Sequence, residues 1–132
     1  MYDRPYAITR RLDGATFDDA DRRAREALAA EGFGVITEID VQAVVKKKLG
    51  VDRKPYRILG ACNPALANQA LQTDVTVGVF LPCNVDLFEG DDGAVWIQAV
   101  RPSHLFRLVD NPALASVAEE VDARLQRALD HM

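Results

Sequence analysis

Two amphipathic stripes, one near each end of the chain, constrain the fold more than any other feature. Phe17, Ala20, Ala24, Ala27 and Leu28 fall on one helical face, with Asp21, Arg22, Arg25 and Glu26 off it. Leu114, Val117, Ala118, Val121, Leu125, Ala128 and Leu129 form a second, longer stripe. A helix that is apolar along one stripe needs a flat apolar partner, and the chain between the stripes offers one. Tyr6, Ile8 and Leu12 alternate with polar residues, as a strand over about 5–12 would. Phe33 to Asp40, Pro55 to Ala61, Val75 to Phe88 and Ala94 to Val100 read as further extended segments. Glu89-Gly90-Asp91-Asp92-Gly93 has the composition of a hairpin turn, so the last two strands are antiparallel neighbours without a crossover helix. These features predict an α+β fold: an antiparallel or mixed sheet of about five strands, with both long helices on one face.

The punctuation agrees. Thr16 can accept from the amide three residues on, Asp18 and Asp19 suit the positive end of the helix dipole, and Gly32 supplies a stop. Asp40 is placed to cap a short helix with Val41, Val44, Val45 and Leu49 on one face and Gly50 at its end. Asn63-Pro64 and Asn111-Pro112 each combine an N-cap with proline at the first helical position. Pro82 marks an edge, bend or bulge, because proline cannot donate to a sheet ladder.

The 132 residues fit one domain spanning 1–132. A chain of this size buries roughly two thirds of its unfolded surface and needs neither disulfide nor metal to fold. The net charge of −4 argues against broad nucleic-acid binding. The longest near-apolar stretch, Val75 to Leu81, falls far short of the ~20 residues of a membrane span. Met1 to Pro5 show no basic segment leading into an apolar run, so the expectation is a cytoplasmic protein with reduced thiols.

Those thiols, Cys62 and Cys83, are the most chemically suggestive residues. Cys62 stands where a strand gives way to a helix N-terminus, whose free N–H groups favour a thiolate. Cys83 follows the proline-disturbed segment, where sheets often re-aim a side chain. Asn63 and Asn84 follow the two cysteines as candidate hydrogen-bonding partners. The competing reading makes both cysteines small buried hydrophobes. Glu38 and Asp40 lie two apart on a strand and share a face, an arrangement suited to acid–base work or cation binding. The plainer reading makes Asp40 a helix cap and Glu38 a solvent-side residue. Lys46, Lys47 and Lys48, with Arg53 and Lys54 beyond, form the one basic cluster, at the end of a helix where cations favour the dipole. No metal is expected: two distant cysteines with His131 and with His104, in the expected surface loop Pro102-Ser103-His104, lack zinc-ligand spacing. No cofactor is expected either, since Gly32-Phe33-Gly34 lacks the third glycine of a dinucleotide loop.

Four runs in order resemble the bacterial and archaeal domain-of-unknown-function family 302. They are Gly34 to Val41, Lys47-Lys48-Leu49-Gly50, Tyr56 to Pro64 and Leu81 to Val85. The resemblance spans about Tyr6 to Leu129. It implies a β-α-β(4)-α fold likened to that of the TATA-binding protein, without DNA binding, and a homodimer. Its motif positions here are Glu38, Asp40, Gly60, Cys62, Asn63, Pro64, Pro82 and Cys83. Two functional expectations follow. One is a small-molecule or thiol-dependent site for redox or sulfur chemistry. There Cys62 is the activated thiol, Cys83 its resolving partner, and Glu38, Asn63 and Asn84 bind the ligand. The other is a non-catalytic homodimeric module that binds a ligand or a partner.

Overall fold

The computed structural model describes all residues, Met1 to Met132. Five strands form one sheet: β1 (Ala7–Leu12), β2 (Gly34–Asp40), β3 (Tyr56–Cys62), β4 (Cys83–Glu89) and β5 (Val95–Val100). Their spatial order is β1-β5-β4-β3-β2, and each neighbouring pair is antiparallel. The helices are α1 (Phe17–Ala30), α2 (Val41–Leu49), α3 (Pro64–Thr73), α4 (Pro102–Leu105) and α5 (Ala115–Asp130). With the short helices counted as connections, the order is the expected β-α-β(4)-α. A likeness to the TATA-binding-protein fold would require more than this order; β1 and β2 remain as unpaired edges, so the sheet does not close.

Strand alternation sends Leu59, Ala61, Cys83, Val85, Leu87, Val95, Ile97 and Ala99 to one sheet face. There they meet Ala20, Ala24 and Leu28 of α1 and Leu125, Ala128 and Leu129 of α5 in one core. The small alanines of both helices let them approach the sheet and each other closely. Thr16 caps α1 by accepting from the Asp19 amide, and Asp40 caps α2 by accepting from the Ala43 amide. Gly50 ends α2 in the left-handed region at φ 67°, a conformation that costs glycine nothing. A smaller core joins Ala70 of α3 to Phe106, Leu114, Val117 and Ala118.

Three segments depart from the sequence reading. Val75–Phe80 forms a 3₁₀ helix, not a strand, because the Asp74 carboxylate accepts from both the amide and the hydroxyl of Thr76 and so turns the chain. Ser103 and His104 lie in the short helix α4, not a loop; Pro102 opens it, and Asp122 of α5 accepts from the Ser103 amide and hydroxyl. Asn111-Pro112 starts a 3₁₀ turn over Pro112–Leu114 that runs on into α5. Glu38 is exposed, as a solvent-side residue would be, but it is paired. It lies on the helix-covered side, where Arg25 (2.9 Å) and Arg57 (3.4 Å) pair with it.

The other sheet face is bare of helices. Tyr56 stacks on Phe88 with ring centroids 5.5 Å apart, and Tyr2 meets Phe88 and Trp96 edge-on at 5.1 and 4.9 Å. Between them Asp86 accepts from the Tyr56 hydroxyl (3.0 Å) and the Gln98 amide (3.3 Å). Its second oxygen is buried without a partner. Burial raises the Asp86 carboxyl above the ordinary aspartate range, against the two hydrogen bonds that lower it.

Two outcomes follow. A Cβ at Gly60 would stand 2.0 Å from the Thr37 Oγ1 and 2.8 Å from the Pro82 Cγ. Gly60→Ala should therefore destabilise the domain by about 1–3 kcal/mol in urea unfolding, and adding Thr37→Ala should recover part of the loss. The raised Asp86 carboxyl favours the fold fully below the ordinary aspartate range. That contribution is lost as pH rises through the raised folded value. Melting curves between acidic and neutral pH should show this loss in the native protein and not in Asp86→Asn.

Candidate functional site

β3 ends at Cys62, and Asn63 turns the chain into α3. The Asn63 backbone is extended (φ −100°, ψ 105°), its side-chain oxygen accepts from the Leu66 amide at 3.2 Å, and Pro64 fills the position that needs no donor. The cap is itself held in place: Asn63 is buried, and its amide nitrogen lies where a side chain on Gly32 would stand. Gly32 has φ 85°, so glycine is required there twice over. One strand away, the Leu81-Pro82 peptide leads into Cys83, the first residue of β4. The register sets Cys83 opposite Ala61, which brings the two thiols to the same end of adjacent strands.

Both cysteines line one cavity of about 290 Å³. Its floor is the end of β3 and the start of β4, Leu66 and Ala70 of α3 form one wall, and Val117 and Val121 of α5 form another. Pro102 and Phe106 cover a third side, on the segment that Asp122 pins to α5. Of the sixteen lining residues Asn63 alone has an amide side chain; apart from it and the two cysteines the wall is hydrocarbon and proline.

The thiols differ in setting. Cys83 is buried, and Cys62 is half-buried. Burial pushes the Cys83 thiol up to about 12, with the neighbouring Cys62 and the Asp122 carboxylate adding electrostatically to the effect. At neutral pH Cys83 is thus a protonated, uncharged wall group. Cys62 stands directly before the Asn63 cap of α3 and lines the cavity. Both are free thiols. No group of three or more His, Cys, Asp or Glu side chains comes together in a way that could hold a metal ion.

Of the residues singled out from sequence, Cys62, Cys83 and Asn63 meet at this cavity. Asn84 does not: it faces a separate depression beside Phe80 and Leu105. Glu38 belongs to the ion cluster that also joins Asp21, Arg25 and Arg57. Asp40 caps α2, and Lys46 pairs with Asp52 at 2.8 Å near the end of that helix. Sequence reasoning missed Leu66, Phe106, Val121 and the clamp residue Asp122. The first three have the periodicity of core residues, and periodicity does not separate a cavity wall from a filled core. Asp122 carries a faint signal, an acid set directly beside the apolar stripe of α5.

No curated protein matches the chain. Among solved structures, it is similar to the crystal structure of an uncharacterized conserved protein DUF302 from Bacillus stearothermophilus. The identity is 30%, the alignment covers 97% of this chain and 98% of that one, and the TM-score is 0.90. The domain of unknown function DUF302 matches residues 8–132. The family match over nearly the whole chain and the structural match at 30% identity agree, and the chain belongs to the DUF302 family.

Proposed function

We propose that this domain binds a small apolar molecule in the cavity between α3, α5 and the sheet end, with Cys62 as the reactive group on its wall. The observation that supports this most is that both cysteines line one almost wholly apolar cavity. A pocket of this kind draws its affinity from the surface it removes from water and its orientation from few polar groups. Here those are the Cys62 thiol and the α3 N-terminus that follows it. Cys83 serves as a neutral wall group at physiological pH, since its raised thiol disfavours the thiolate that resolving or metal-binding roles require. Redox or sulfur chemistry on this reading begins at Cys62. Glu38 and Asn84 lie outside the cavity and are not ligand groups in it.

A second reading has its own observation. α2 buries no residue of its own, and Ile36, Ile39, Val44 and Leu49 on β2 and α2 are exposed. Exposed apolar residues on an open sheet edge favour association, and this patch is where the homodimer implied by the family resemblance would form. No helix of the chain is long and apolar enough to cross a membrane.

Native protein treated with iodoacetamide near pH 8 should gain one adduct, on Cys62, and gain the second only after denaturation. Equal rates at the two thiols would end the assignment of roles. N-phenyl-1-naphthylamine should bind saturably, protect Cys62 from alkylation, and lose its site in Ala67→Phe, which fills the cavity from α3. Binding unchanged by that substitution would exclude the cavity. For the second reading, sedimentation should show a dimer that Ile39→Lys dissociates; a monomer at every concentration would remove it.

A further inference from the structure

The bare sheet face carries a second concavity, independent of the thiol cavity and about 430 Å³ in volume. The N-terminal segment supplies one side through Tyr2, Arg4 and Tyr6. Tyr56 and Gln98 come from the sheet, and Arg53 stands opposite. The segment is held in place: Tyr2 packs against Phe88 and Trp96, and its hydroxyl accepts from the Asp91 amide at 2.9 Å.

Its charges are unevenly satisfied. Lys54 is paired with Asp91 at 3.4 Å. Arg4 donates only to the Asp3 carbonyl and Arg53 only to the Lys54 carbonyl, so neither guanidinium has a carboxylate partner. Glu89 is the one acid on the wall without a cation, which leaves two free guanidinium groups facing a single free carboxylate. The Arg53 guanidinium lies over the Tyr56 ring, 5.2 Å from its centroid. This contact orders its planar fork while leaving it free to take an acid group. Tyr6 is 54% exposed, an aromatic face with nothing on it.

We propose that this concavity is a binding site for a small planar aromatic acid. The ring of such a ligand lies against the exposed face of Tyr6, and its carboxylate or phosphate meets Arg4 and Arg53. Offset stacking and charge-assisted hydrogen bonds then act together on one molecule. A neutral aromatic of the same shape keeps the stacking and forfeits the ion contacts. An aliphatic acid does the reverse.

Trp96, the only tryptophan, reports on the site because its ring lies 4.9 Å from that of Tyr2. The full chain is titrated with naphthalene-2-carboxylate and separately with naphthalene-2-methanol, following tryptophan emission. The carboxylate should bind saturably, and the alcohol about tenfold more weakly. Arg4→Gln and Arg53→Gln, both at exposed positions, should each weaken the carboxylate by about tenfold, and added salt should weaken it further. Ala67→Phe should leave this binding unchanged, which separates the result from the fate of the thiol cavity. Equal affinity for acid and alcohol, indifference to both arginine substitutions, loss of binding in Ala67→Phe, or no saturable response at millimolar ligand would each overturn the proposal.

Discussion

The β3–β4 register is the constraint on which the candidate site depends. Pairing Ala61 with Cys83 sets the two strands so that one strand's end and the other's beginning coincide. A shift by one residue would turn Cys83, Val85 and Leu87 out of the core and move Asn84 and Asp86 into it, which burial does not permit. Gly60 secures the arrangement from within. The space its missing side chain would occupy is taken by Thr37 and Pro82, so β2, β3 and the start of β4 close up around one glycine. The helix start at Asn63 and the thiol at Cys62 inherit their positions from this junction.

The cavity exists because two cores share one long helix. The C-terminal part of α5 completes the main core with Leu125, Ala128 and Leu129, and its N-terminal part completes the smaller one with Val117 and Ala118. Between them the sheet has ended and α3 has only begun. Asp122 holds α4 across this gap through Ser103, so the covering segment is tied by polar contacts while the space beneath stays apolar. The same carboxylate adds negative charge near Cys83 and helps keep that thiol protonated. Structure and chemistry of the site are thus linked through one residue of α5.

The two sheet faces divide the molecule's chemistry. The covered face is hydrocarbon, bordered by the Asp21–Arg25–Glu38–Arg57 ion cluster at its rim. The bare face has an aromatic cluster set around a half-buried carboxyl that burial makes easier to protonate. Burying Asp86 disfavours its charge, and the hydrogen bonds from Tyr56 and Gln98 only partly offset that cost. Such a face is not the passive outside of a sheet, where charged residues would normally alternate with small polar ones.

Local signals made much of the fold legible in the sequence. The stripes of α1 and α5, the caps at Thr16, Asp40 and Asn63, and the Glu89–Gly93 turn each depend on residues within a few positions of one another, and all are present. The antiparallel sheet followed from these elements and from the hairpin. Val75–Phe80 was misleading because its valines favour a strand, while one side chain, Asp74, turns the backbone the other way. The placement of Cys62 before a helix was likewise local, and so visible. What tertiary structure alone decided is which distant residues share a space. The meeting of both thiols at one cavity, the removal of Glu38 and Asn84 from it, the clamp from Asp122 to Ser103, and the return of Tyr2 to Trp96 all join residues far apart in the chain. Periodicity tells which way a side chain faces relative to its own element; only packing tells what it faces.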